Sequence, residues 1–135
     1  MTGFIDLSYL LKNMEPVQVA GSYIFAKISE ETLEALGSSP RLVYREAEAI
    51  TVIVTREIAE AYSFSIEIVW GLISLTVHSD LQAVGLLAKV TSVLAEAGIS
   101  ANAVSAFYHD HLFVPEDRVQ DALTLLRNLS NSIVV

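Results

Sequence analysis

The sequence predicts an α+β fold built from two units of the order βαββαβ, each with an antiparallel sheet and its helices on one face. Three observations lead to this prediction: apolar residues that alternate as in strands, apolar residues at helical spacing, and a local repeat between the two halves of the chain. With 135 residues, 53% of them apolar, the chain is long enough for one compact domain or two very small ones that share a core.

The second half of the chain has the clearest pattern. Residues 70–77 alternate between two faces, which is typical of a strand. A polar step follows, and the apolar residues of the segment 86–97 then recur at i, i+4, i+7 and i+11, with Gly98 at the position of a helix C-cap. These residues predict a strand followed by an amphipathic helix.

A hairpin is predicted after this helix. Residues 101–108, rich in small and aromatic side chains, and the apolar residues 112–114 indicate two strands. The polar pair His109-Asp110 lies between them, and we expect the tight turn there.

A second helix and a short last strand complete the unit. Pro115 opens the helix, because proline is tolerated in the first helical turn, and apolar residues repeat at helical spacing over residues 119–129. Ile133–Val135 is available as the last strand. The resulting order is the split-βαβ, or ferredoxin-like, plan, in which both helices pack on the same face of one sheet.

The first half repeats this order imperfectly. The pattern predicts a short helix over residues 7–14, strand residues at 17–20 and 23–28 on either side of Gly21, and a strand at Ile50–Val54 that leads into a helix near residues 57–62. In addition, the segment that begins at Ile53 matches the segment that begins at Phe113, with a one-residue difference in spacing. The two halves are therefore interpreted as degenerate copies of one unit.

The boundary between the copies is placed after residue 65, which gives a degenerate N-terminal unit, 1–65, and a C-terminal unit, 66–135. Ser29–Pro40 is polar and turn-rich and is predicted to be an excursion within the first copy. That copy shows no strand before its first helix. We therefore expect its sheet to be completed by another segment, either Phe64–Val69 or Ile133–Val135.

Composition excludes several classes of function. Sixteen acidic residues against eight basic ones give a net charge of −8 without any cluster of Lys and Arg, so nucleic-acid binding is not expected. There is no cysteine, and hence no disulfide, thiolate nucleophile or Cys-ligated zinc. No apolar run reaches the roughly 18 residues of a membrane span. The segment Met1–Leu11 lacks the basic start of a secretory signal, so the expected location is the cytoplasm.

A family resemblance rests on the residues that follow the strand at 70–77. The run DLQAVGLLAKVTSVLAEAGISAN, residues 80–102, has an acidic residue, a glycine that opens a helix, apolar helical spacing, a glycine that ends the helix and an asparagine near the next strand. This pattern resembles the ACT domain. The strings VHSDLQAVGLLAKV and FYHDHLFVPED are similar to the small stand-alone tandem ACT proteins of bacteria. The first copy departs from the pattern, so any ligand site is expected in the second copy.

The resemblance implies a regulatory module that binds a small molecule, most often an amino acid, and the residues themselves make such a site plausible. A loop from His78 to Gly85 that ends at a helix N-terminus presents unpaired N–H groups and the positive end of the helix dipole to a carboxylate. Asp80 and the side-chain oxygen of Asn102 are the candidate acceptors for an ammonium group. The predicted ligand-binding residues are His78, Ser79, Asp80, Ala83, Val84, Gly85, Leu86, Asn102, Ala103 and Val104.

Each of these features also has a structural interpretation. Asp80 or Ser79 can cap the helix, Gly85 can serve helix–sheet packing, and Asn102 can satisfy a sheet edge or turn.

The histidines and aromatic residues leave two further alternatives open. His109 and His111 lie two apart on one strand, with His78 as a neighbour in space, which is the pattern of a metal site. The preferred interpretation is a turn at which the imidazoles cap strand ends or lie at a subunit contact. No metal is predicted. Trp70, together with Phe64, Phe107 and Tyr108, is interpreted as core or interface, against a role in stacking on a ligand.

The predicted function is a stand-alone amino-acid-binding regulatory protein whose ligand changes its assembly or its partner binding. A ligand-free structural or interaction module is the alternative. An enzyme is not expected, because the sequence has no GxSxG elbow, no Walker loop and no evident acid pair, and neither catalytic residues nor cofactors are predicted. The expected partners are an amino acid or similar small carboxylate and a second copy of the chain, since open sheet edges favour a homodimer.

Overall fold

The computed structural model describes residues 6–134, which form two compact units. The middle unit comprises Gly21–Trp70, and the terminal unit comprises residues 6–20 and 71–134 of the described chain. The helices and strands in chain order are α1 Leu7–Lys12, β1 Pro16–Ile28, α2 Glu30–Leu36, β2 Leu42–Arg45, β3 Ile50–Thr55, α3 Arg56–Ala61, β4 Trp70–Leu75, α4 Leu86–Glu96, β5 Asn102–Ser105, β6 Asp110–Pro115, a 3₁₀ turn Glu116–Arg118 and α5 Val119–Ser132.

The same order of elements occurs twice, as β1-α2-β2-β3-α3 and as β4-α4-β5-β6-α5. In the middle unit the strand order is β2-β3-β1, and the pairs are antiparallel, with Tyr23 opposite Thr55 and Leu42 opposite Ile53. In the terminal unit the order is β1-β4-β6-β5. Strand β1 appears in both orders because its first residues belong to the terminal unit and the rest to the middle unit. Strands β5 and β6 are antiparallel. The predicted α+β fold with antiparallel strands is confirmed.

The helices of each unit cover one face of its strands. In the terminal unit, alternate residues of β4 and β6 are buried against α1, α4 and α5; this core consists of Leu10, Leu11, Met14, Ile73, Leu75, Val77, Leu86, Val90, Leu94, Ile99, Leu112, Val114, Val119, Ala122, Leu123 and Leu126. In the middle unit, alternate residues of β1 and β3 pack with α2 and α3; this core consists of Ile24, Ile28, Leu36, Ile50, Val52, Val54 and Ala59.

Two predictions about the first copy were wrong. Part of the predicted excursion Ser29–Pro40 is helix α2, which begins where the Ser29 hydroxyl accepts a hydrogen bond from the backbone N–H of Thr32 at 3.2 Å. The strand before this helix is β1, which runs without a break through Gly21 at a φ of +112°. The unit therefore has its own first strand, and the segment Phe64–Val69 forms none.

Three details of the second copy also differ from the prediction. The turn of the hairpin lies at residues 106–109, and Asp110 is the first residue of β6. Pro115 ends β6 and precedes the 3₁₀ turn, so it does not open a helix directly. Of the predicted last strand, Ile133 is the C-cap of α5 and Val134 has no regular structure, while Val135 lies outside the described residues. By contrast, β4 and the end of α4 near Gly98 follow the prediction.

Among the helices of residues 6–134, none combines the length and apolar character that a membrane crossing requires.

The close approach of α5 to β4 depends on a residue without a side chain. A Cβ built at Gly71 would overlap Cγ2 of Val119, which is itself buried. Gly71 is therefore needed at this position of β4 for packing.

We expect Gly71→Ala to lower the free energy of unfolding by about 1–3 kcal/mol, the usual cost of overpacking a core. Combining it with Val119→Ala should recover part of this loss, because the smaller side chain makes room for the new methyl group. Thermal unfolding of the two single variants and the double variant measures the coupling. Strictly additive losses would contradict the proposed contact.

Candidate functional site

Helix α4 begins without a capping side chain. Its N-cap is Gly85, at a left-handed φ of +99°, whereas α1, α2 and α3 are each capped by a side-chain oxygen, from Asp6, Ser29 and Thr55. The first N–H groups of a helix have no partners within the helix, and they carry the positive end of its dipole. The start of α4 is thus open to an external acceptor.

A cavity of about 120 Å³ lies at this helix start. Five of the predicted ligand-binding residues line it: Ser79, Asp80, Ala83, Gly85 and Leu86. The remaining lining residues are Leu81 from the loop, Leu87 and Ala88 from the first turn of α4, and the pair Ser105 and Asp110. These last two are register partners at the turn end of the β5–β6 hairpin.

Asp110 is the main polar group of this cavity. Its side chain belongs to a residue only 8% exposed, and the hydroxyl of Ser79, equally buried, donates a hydrogen bond to Oδ2 at 3.3 Å. No Lys, Arg or His of the described chain lines the cavity. A buried carboxylate is costly unless a positive group compensates it. The cavity therefore favours a ligand that brings its own cationic group.

Asp80 has a different local role from helix capping. Its Oδ1 accepts a hydrogen bond from the backbone N–H of Gln82 at 2.8 Å, which closes a turn in the loop before α4. The capping interpretation of Asp80 was wrong, because four residues separate it from Gly85. Its half-exposed carboxylate adds a second negative charge to the cavity wall.

The other predicted residues do not line the cavity. Val84 is 81% exposed, and the His78 ring lies 5.2 Å from the Tyr108 ring. Asn102, Ala103 and Val104 lie along β5 before Ser105. The eleven residues of α4 carry the chain about 16 Å away from the loop, at a rise of 1.5 Å per residue, so β5 begins at the far end. The ligand-binding role of all ten residues remains a prediction.

Sequence reasoning missed Ser105 and Asp110. Asp110 was interpreted as a turn residue because it lies beside His109 in a polar pair. The apolar run of β6 begins only at residue 112, so no pattern in the sequence marks Asp110 as part of the strand.

The histidines form a row of rings with separate partners. The ring centroids of His78 and His109 are 6.5 Å apart, and those of His109 and His111 are 6.3 Å apart. Nδ1 of His111 lies 2.7 Å from the hydroxyl of Ser74. Within residues 6–134, no group of three or more His, Asp or Glu side chains is arranged to hold a metal ion.

The equivalent helix start in the middle unit is satisfied by the protein's own side chains. Ser29 caps α2, and Glu30 in its first turn forms a salt bridge with Arg45 of β2 at 2.8 Å. The hydrogen bond from the Arg45 guanidinium lowers the pKa of the Glu30 carboxyl. An anionic ligand would have to compete with Glu30 here, so the open position is the one in the terminal unit.

Two βαββα units, one of them with a cavity at a helix start, define a small ferredoxin-like protein. Two family models, both described as ACT domain, match residues 2–70 and 67–128. The chain belongs to the ACT domain family, as its sequence motifs predicted. ACT domains are regulatory, ligand-binding modules and are generally non-catalytic, which is the class of function that the family gives to this chain.

Solved structures have a similar fold. A protein of unknown function from Vibrio cholerae, described as a possible transport protein, is 37% identical, with 92% of this chain and 95% of that chain covered and a TM-score of 0.81. A protein from Agrobacterium tumefaciens is 21% identical, with 85% and 87% covered and a TM-score of 0.68.

The fold also matches the ligand-free regulatory subunit of aspartate kinase from Thermus thermophilus, at 11% identity, 84% and 95% coverage and a TM-score of 0.65. No curated protein matches the sequence.

If the Asp110 carboxylate serves a ligand, removing its charge should not harm the free protein. We expect Asp110→Asn, which keeps the bond to Ser79, to leave the free energy of unfolding unchanged or to raise it by up to about 2 kcal/mol. Asp117→Asn, at an exposed residue that takes part in no salt bridge of the described chain, is the matched control for a lost negative charge. A marked fall in the melting temperature of Asp110→Asn alone would identify the carboxylate as structural.

Proposed function

We propose that this chain is an amino-acid sensor, and that the cavity at the start of α4 is its ligand site. The observation that carries the proposal is the juxtaposition of an uncapped helix N-terminus with a buried carboxylate, Asp110, in one cavity. The helix N-terminus can bind an anionic group, and the carboxylate can bind a cationic one. A free amino acid carries both on the same carbon atom.

The start of α4 and the Asp110 carboxylate bind the two charged groups of the ligand. Its carboxylate accepts hydrogen bonds from the first N–H groups of α4, where the helix dipole is favourable. Its ammonium group donates to Asp110 and lies within the negative field of Asp80. Such charge-assisted bonds are the strongest polar contacts available to a small ligand.

The volume of the cavity limits the side chain of the ligand. About 120 Å³ is small beside the roughly 300–1,000 Å³ that is usual for small-molecule sites. This space favours the smallest amino acids, such as glycine, alanine and serine.

A ligand that contacts several separate elements at once can regulate the assembly of the protein. The cavity wall combines the loop before α4, the first turn of α4 and the β5–β6 hairpin. A ligand held by all three favours the closed arrangement of these elements, and this difference in affinity can shift an assembly equilibrium. We also propose that the protein is a cytoplasmic homodimer, which is supported by the position of β5 at the edge of the sheet. We further propose that the boundary between the two ACT copies lies near residue 65.

A second candidate is an interaction module without a ligand. The exposed apolar side chains of Leu81 and Val84, both in the loop beside the cavity, favour a contact with another protein.

A thermal-shift screen of the twenty amino acids separates the two candidates. At a concentration about one hundred times the dissociation constant, a ligand adds about 2.7 kcal/mol to the free energy of unfolding, which raises the melting temperature by several degrees. We expect this increase for one or more of the small amino acids, and its loss in Asp110→Asn but not in Asp117→Asn. A flat response of the parent protein to all twenty would reject the sensor and favour the interaction module.

A further inference from the structure

A second, larger cavity lies in the middle unit. It has a volume of about 440 Å³ and lies between the C-terminal half of β1 and the segment that leads from α3 to β4. This volume is within the range of about 300–1,000 Å³ that is usual for small-molecule sites. None of its lining residues belongs to the cavity at α4, so an inference about it is independent of the function proposed above.

Aromatic rings form much of its wall. Phe25, Phe64 and Trp70 line the cavity, and all three remain partly exposed. The rings of Phe25 and Trp70 lie 5.6 Å apart at an angle of 58°, so they do not stack flat on each other. A third ring that enters the cavity can contact them in the offset or edge-on arrangements that aromatic groups prefer.

Two opposite charges border the same cavity. Lys27 and Glu67 are the charged residues that line it in the described chain, and both are exposed. Neither of them takes part in a salt bridge among residues 6–134, although other exposed pairs of this chain do. An ammonium group and a carboxylate are therefore available to a ligand beside an aromatic wall.

We propose that this cavity binds a small zwitterion that carries one aromatic ring. The ring packs among Phe25, Phe64 and Trp70, the carboxylate of the ligand pairs with Lys27, and its ammonium group pairs with Glu67. A ligand with only one of the two charges would leave Lys27 or Glu67 unmatched, so the zwitterion is favoured over either.

Trp70 is the single tryptophan of the chain and lines the cavity, so its fluorescence reports on this site. The probes are L-phenylalanine, phenethylamine and phenylpropionate, which share one ring and differ in charge, and the excitation wavelength is one that phenyl rings do not absorb. We expect a saturable change of emission with L-phenylalanine, and affinities about two- to fivefold weaker for the two singly charged probes, the range for exposed ion pairs. L-Leucine, a zwitterion without a ring, should give no change.

Two matched variants test the role of each charge. Glu67→Gln should weaken L-phenylalanine to the level of phenylpropionate and leave phenylpropionate no weaker than before. Lys27→Gln should weaken it to the level of phenethylamine. Both residues are exposed, so both variants are expected to fold. The response should persist in Asp110→Asn, which separates it from the cavity at α4. The proposal is overturned if the parent protein shows no saturable change with L-phenylalanine, or if the two variants leave the order of the three probes unchanged.

Discussion

The packing of α4 against the strands of the terminal unit determines where the first turn of this helix lies. Leu86, Val90 and Leu94 are buried along one side of α4 and pack in the core with residues of β4, β6 and α5. Each such side chain contributes about 1.5–3 kcal/mol on burial. A capping side chain is worth only about 1 kcal/mol. The helix can therefore begin at Gly85 without a cap, and its first N–H groups remain available at a fixed position.

The two copies of the unit use the same position in different ways. In the middle unit, Ser29 and the salt bridge of Glu30 with Arg45 satisfy the start of α2. In the terminal unit, the residue at this position is a glycine, and the cavity beside it holds a buried carboxylate, Asp110, but no Lys, Arg or His of residues 6–134. The terminal unit therefore leaves open the helix start that the middle unit satisfies with its own side chains.

The sequence predicted the elements whose period is long and regular. Helix α4 has apolar residues over three turns and a terminal glycine, so its end was correctly placed at Gly98. Helix α2 was missed because it has seven residues and one fully buried side chain, Leu36, which is too little to show a period. The continuity of β1 was missed because glycine usually marks a turn, whereas Gly21 is accommodated within the strand.

Only the part of the candidate site that is contiguous in sequence could be predicted. The loop and the first turn of α4 are contiguous in sequence, and most of the residues predicted there line the cavity, whereas Val84 does not. The contribution of the hairpin depends on strand register and on the length of α4, which together bring Ser105 and Asp110, rather than Asn102, to the helix start. Periodicity along one element carries no information about such pairing.

In the proposed complex, one small amino acid lies between the start of α4 and Asp110. Backbone amide chemical shifts, followed by NMR during titration with the small amino acid that gives the largest thermal shift, test this most directly. We expect saturation at one ligand per chain, with the largest changes at the amides of residues 85–88, Ser105 and Asp110. Saturable changes that leave these amides unaffected would contradict it.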